Sequence, residues 1–274
     1  MTWSVTDAAR VGVALVVVVA PGSAGLLAIG VRRTFWHVAL AVPLSAAVAT
    51  LTAAACAVVH VGYGPIPLGL VTAGLIAVVL ARRPALVEDA DDDDRRWPGG
   101  PVAVLGLVLG AVGIALSLKS WMSGIGPLST VAQEHDMIVH GVATAFIERT
   151  GRGAPWQIVP ADVLTGGHVS FYPSGLHLMM AATARLTGSV VIGMNAVTVV
   201  VLGVAWPLSA GALAYATARR IGLDRAAGVL GGGIAALVAP GLYRPVFSLL
   251  QEGGVLSNAA SLVLAPGVIA AVVA

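Results

Sequence analysis

Runs of about 20 consecutive apolar residues recur along this chain and leave it few ways to fold, because each is long enough to cross a hydrocarbon core of about 30 Å. Backbone in lipid must satisfy its own hydrogen bonds, which helices and closed barrels do. The runs are continuous rather than alternating, and that selects helices. Composition points the same way: 58% of the 274 residues are hydrophobic, 10% are charged, and the mean hydropathy is +0.93. A soluble domain carries roughly 25% charged residues. The expected fold class is therefore all-α, a polytopic helical membrane protein with about seven transmembrane helices.

The spans expected are Val11–Val31, Phe35–Val59, Ile66–Ala81, Val102–Leu118, Val190–Ala218, Ala226–Gly241 and Asn258–Ala274. Arg32 with Arg33, Arg82-Arg83 with Arg95-Arg96, and Arg219-Arg220 with Arg225 form three basic clusters. An external N-terminus puts all three on the cytoplasmic side of a plasma membrane, as the positive-inside rule asks. The loop 119–189 is then external. Asp7 and Arg10 deny the N-terminus a basic leader, so the first run reads as a retained span rather than a signal peptide. The layout divides into a three-span segment at 1–81, a cytoplasmic acidic and basic linker at 82–100, and a membrane core at 101–274. The last apolar run stops at Ala274 without a polar tail, which predicts that the chain is a piece of a longer protein.

Several function classes drop out early. Net charge is +2 from balanced numbers, which gives nucleic acid no footprint; membrane lipid is the expected partner. The lone Cys56 permits no disulfide within the chain. Glu88–Asp94 reads as a solvated linker, since it lacks the glycine and spacing of a calcium loop. No internal repeat is evident, so an inverted-repeat transporter gains no support.

Ionisable residues outside these clusters gather in the external loop. Asp136, His140, Thr144 and Glu148 recur every four residues, a polar stripe on a helix that Gly151 would end. The plain reading is an amphipathic interfacial helix with its polar side in water. The sharper one uses Asp136, with Glu134 as rival, as a general base on a hydroxyl at the membrane surface. Beyond them stand Arg149, Arg152, His168, Tyr172-Pro173 and His177. Ser174–Leu186 is too short for a span and reads as a juxtamembrane helix on the outer face of the bilayer, with Ser174 as its N-cap. The histidines and carboxylates show no zinc-type spacing, so no cofactor and no metal is assigned and a divalent ion stays open. Asn195 and Trp206-Pro207 fall inside the fifth span and read as packing or kink residues.

The stretch QEHDMIVHGVATAFIERTG, then FYPSGLHLMMAATARLTG, then a span ending WPLSAGALAYATARRIG, resembles an actinobacterial family of multi-spanning membrane proteins. That layout is similar to the first half of the GT-C class of membrane glycosyltransferases, over about a third of the chain, Gln133–Gly222. The resemblance implies a GT-C-like core with external juxtamembrane helices, and a lipid-linked (polyprenyl-phosphate) sugar donor. It also implies a cell-envelope glycan or lipid acceptor and a catalytic carboxylate at Asp136 or Glu134. His140, Arg149, Arg152, His168, Tyr172, His177 and, in the next external loop, Glu252 would then line the substrate site. Many of those enzymes begin at the span that leads into the loop, whereas here three spans precede that span. Two other readings stay open: a transporter subunit, which requires ionisable residues buried at mid-span, and an envelope scaffold or assembly protein without chemistry.

Overall fold

The computed structural model describes residues 4–81, 98–132, 134–242, 246–251 and 254–274. Among them the chain is helical throughout, with no strand. Four long helices come first: α1 (Val5–Ala28), α2 (Thr34–Val58), α3 (Pro65–Ala81) and α4 (Gly100–Ile125). Three shorter ones follow, α5 (His135–Thr150), α6 (Val159–Thr165) and α7 (Gly175–Thr187). The chain continues with α8 (Val190–Arg220), α9 (Arg225–Val238), α10 (Val246–Gln251) and α11 (Leu256–Val273). Every apolar run is a helix. Five of them, α1, α2, α4, α8 and α11, are long and apolar enough to cross a membrane. α3 has 17 residues, and α9 reaches Gly241 only through a 3-10 turn. The acidic run, Arg82, Arg83, Arg95, Arg96, Gln133, Arg244 and Glu252 lie outside the described residues.

Small residues bring the long helices together. Gly106 and Gly113 of α4 face the backbone of Val229 and Ala236 in α9, and Gly233 of α9 faces the Gly106 carbonyl. A Cβ at any of the three would enter a neighbour's backbone. Lipid tails are as apolar as the helices, so close backbone approach and dispersion hold such pairs together. α8 meets α9 in the same way, Gly211 against the Gly232 carbonyl.

Prolines in the long helices supply a second device. Pro21 lies inside α1 and Pro266 inside α11. Each ring removes an N–H and opens its turn of helix. The N–H of the glycine that follows then donates to a serine on a neighbouring helix: Gly22 to Ser45 Oγ at 2.8 Å, Gly267 to Ser209 Oγ at 2.7 Å. Both serines sit in a Pro-Leu-Ser-Ala sequence, at 43–46 and 207–210. The two joints are built alike, so a local likeness exists where none is evident from the sequence read linearly. Within α8, residues Val199–Ala205 form a π-helical segment directly before Trp206-Pro207. The kink expected at this proline takes the form of a widened turn.

α7 departs most from expectation. Every residue from His177 to Ala184 is buried, and the helix packs against α1, α2, α5 and α8. It is an internal element, packed within the protein rather than exposed on its surface as a lone juxtamembrane helix would be. Small side chains (Ala181, Ala182, Thr183, Ala184) let neighbours close over it on all sides. Ser174 stands at its N-cap, but the hydroxyl makes no cap bond; it donates to the Gly153 carbonyl at 2.9 Å.

Candidate functional site

α5 and α7 lie side by side and bring together residues that are far apart in sequence. α5 ends at Gly151, which takes the left-handed conformation at φ 68°. Its last turn is held by Arg185 of α7, whose Nε donates to the Glu148 carbonyl at 2.7 Å and whose Nη1 donates to the Tyr63 carbonyl at 3.0 Å. Nη2 also reaches Glu148. Tyr63 completes the clamp: its N–H donates to the Gly151 carbonyl at 2.8 Å and its hydroxyl to the Leu178 carbonyl at 3.3 Å. Burial pushes the Tyr63 hydroxyl far up in pKa, with Cys56 adding to the rise and Arg185 opposing it.

The polar stripe of α5 points inward, against the water-facing orientation expected for it. His140 and Thr144 are buried. Thr144 Oγ1 lies 3.8 Å from Met180 Sδ. His140 Nδ1 and His177 Nε2 stand 2.9 Å apart, a hydrogen bond whose donor is set by the tautomers of the two rings. Their outer nitrogens, His140 Nε2 and His177 Nδ1, are buried without a protein partner. Burial lowers the pKa of both rings; for His177 the neighbouring His140 lowers it further. For His140, Asp136 and the backbone of Gly254 oppose the shift, the latter from outside hydrogen-bonding geometry. Burial thus favours the uncharged form of both rings across this hydrogen bond. The Tyr172 ring packs on His177 at 5.4 Å between centroids. Burial raises the Tyr172 pKa, and Asp136 raises it further. Asp136, His140, Tyr172 and His177 therefore form one cluster.

A cleft of about 190 Å³ opens at the start of α5, lined by none of these four residues. Trp121 and Ile125 of α4, Met137 of α5 and Leu250 of α10 give it apolar walls, and Glu134, Thr130, Asn195 and Thr198 its polar groups. Glu134 is the exposed N-cap residue of α5, and its side chain makes no capping bond. Gly254, at φ 72°, packs against Glu134 and Met137 and leaves no room for a Cβ. Asn195 donates both N–H groups across the bundle, to Leu128 O at 2.9 Å and Thr130 O at 2.8 Å. It holds the turn after α4 in place, a structural role of the kind expected for it, and also lines the cleft. A larger hollow of about 450 Å³ runs along α8 by Leu213, Thr217 and Pro266; its lining is apolar and holds no titratable group.

The remaining candidates stand apart. Arg149 lies 13 positions after Asp136 on α5, about 20 Å at 1.5 Å per residue. Arg149 and Arg152 are exposed, and Arg152 lies over the Phe146 ring at 5.9 Å. His168 is exposed and pairs with Asp162 at 3.4 Å. Asp162 also accepts from the Val169 N–H at 2.6 Å, and this bond, ahead of His168, draws its pKa down. The pair orders its own loop. Glu252 falls outside the described residues, and the side chain of His135 is likewise undescribed. Among the described residues no three His, Cys, Asp or Glu side chains are arranged to hold a metal ion.

Residues 15–274 match the model of a family of unknown function, DUF6541. The chain belongs to this family. The DUF6541 match spans α2 to α11 and the second half of α1, so the α5–α7 cluster and the cleft lie within it. No curated protein and no solved structure matches the chain.

Proposed function

We propose that this DUF6541 chain is a membrane glycosyltransferase, or part of one, that transfers a sugar from a polyprenyl-phosphate donor to a cell-envelope glycan or lipid. The observation that carries the reading is Glu134, a carboxylate on a partly apolar cleft at the ends of α4 and α8, with Asp136 two residues on. In the transfer, an acceptor hydroxyl attacks the anomeric carbon and its proton passes to a carboxylate. The bond from that carbon to the phosphate oxygen breaks, and the phosphate leaves with the electron pair. A positioned base is worth about 10²–10⁴-fold in such a step. Asp136 and Glu134 are the assigned bases, and Tyr172 and the histidine pair back Asp136. Arg149, at the far end of α5, and Arg152, just beyond that end, are too remote to hold the phosphate of a donor reacting at Asp136.

The same reading has seven helices crossing the plasma membrane, with the N-terminus and α5–α7 outside. α3, at 17 residues, is at the lower end of the length a span needs, and α9 with its 3-10 turn is similar. Arg219, Arg220 and Arg225 mark the end of the bundle where α8 turns into α9. A transporter is disfavoured, since among the described residues the buried members of the Asp, Glu, Lys, Arg and His set are His140 and His177, and both lie outside the candidate spans.

The test is transfer from polyprenyl-phosphate hexoses and pentoses by the chain in nanodiscs, comparing wild type with Asp136→Asn and Glu134→Gln. A drop of about 10²-fold or more in one variant is expected. Wild-type turnover in both would remove the site assignment.

A further inference from the structure

The exposed face of α5 carries large apolar side chains, while its buried face mixes polar His140 and Thr144 with Met137, Ala143 and Ile147. Ile138 and Val142, one turn apart, are 62% and 45% exposed, while His140 and Thr144 face the protein. A helix bordering water has the reverse arrangement. The same outward stripe continues to Arg149, eleven positions after Ile138, and Arg149 is exposed. Beyond the helix end, exposed Arg152 lies over Phe146. The Tyr172 N–H donates to the Pro155 carbonyl at 2.9 Å and ties together the two loop segments that carry Trp156 and Phe171. These aromatic side chains are 54% and 65% exposed. An apolar stripe ending in arginines and exposed aromatic rings has the composition of an interfacial helix, whose rings and cations sit at headgroup level. α5 also follows α4 in the chain, a helix apolar and long enough to cross a membrane and mostly unburied along its length.

We infer that α5 lies in the bilayer interface, with Ile138 and Val142 against acyl chains and Arg149 and Arg152 on the phosphates of anionic lipid headgroups. Guanidinium groups suit phosphate through paired, charge-assisted hydrogen bonds, and acidic lipids attract such cations beyond the contact itself. This assigns the two arginines a ligand at the end of α5 remote from Asp136, and it does not depend on the transferase reading.

The test uses the whole chain with the buried Cys56 replaced by alanine and a nitroxide placed at Ile138→Cys or Val142→Cys. Leu105→Cys on α4, an exposed position in a candidate span, serves as the lipid reference. Vesicles are phosphatidylcholine alone or mixed with phosphatidylglycerol. Both α5 positions are expected to collide with oxygen more than with a water-soluble nickel complex, as Leu105 does. Preferential collision with nickel would mean a water-facing helix, and protection from both would mean a covering protein segment; either result overturns the inference. Phosphatidylglycerol is expected to be enriched around the wild-type chain. In a variant carrying Arg149→Gln and Arg152→Gln that enrichment should be lost, and enrichment that persists would overturn the headgroup assignment.

Discussion

His140 and His177 share one hydrogen bond inside a contact that water does not reach, and this gives the protein a definite acid sensitivity. Their folded-state pKa values are depressed. The unfolded chain therefore binds more protons than the folded one below the ordinary imidazole value of about 6.5. Stability is full above that value and declines as pH falls through it toward the depressed values. Thermal unfolding in detergent across this range is expected to show the decline, and the variant with His140→Gln and His177→Gln a flatter profile. A profile of equal slope in the variant would place the sensitivity elsewhere. Arg185 is the other residue to test. It is exposed, so the ordinary worth of hydrogen bonds from a charged group is discounted, and Arg185→Gln should cost about 1 kcal/mol. The loss is expected first as faster hydrogen exchange in the last turn of α5. None of these partnerships was legible in the sequence. The histidines are 37 positions apart and Arg185 lies 122 from Tyr63, and in one sequence nothing but folding brings them into contact.

The elements themselves were far more legible. A continuous apolar run folds most simply as a helix in lipid, so every expected span is a helix, with ends that match to within three residues except at Val5, six before the expected Val11, and Ile125, seven beyond the expected Leu118. Orientation of the short helices was not legible. α5 has a real polar stripe, but periodicity says only that one face differs from the other and is silent on which faces the protein. α7 has a composition that fits an interface, and its burial depends on what α1, α2 and α8 bring to it. The glycine contacts and proline joints were visible as residues and not as pairs. Each carries a test. Gly233→Leu places a side chain in the backbone of α4 and should destabilise the bundle by about 1–3 kcal/mol or more, as overpacking does. Ser209→Ala leaves the Gly267 N–H without its acceptor, at a cost of about 1–3 kcal/mol. Midpoints of thermal unfolding in a common detergent check both, and a Ser209→Ala variant as stable as wild type would show the joint to be dispensable.

At the scale of the whole molecule, α5, α6 and α7 gather at one end of the bundle, while Arg219, Arg220 and Arg225 mark the turn between α8 and α9. The proposed orientation then makes a simple demand. In intact cells, Thr130→Cys and Pro160→Cys are expected to react with an impermeant maleimide added outside, and a cysteine at Leu223 only after lysis. The opposite pattern would invert the protein in the membrane. The two proline joints matter at this scale too. Gly22 and Gly267 approach α2 at Ala41 and Ala39, two residues and about 3 Å apart along its axis. α2 is therefore the upright against which α1 and α11 are both fixed, at nearly one depth. A side chain at either glycine would push its helix away at that one level, so the two approaches act together as a single clamp on the bundle.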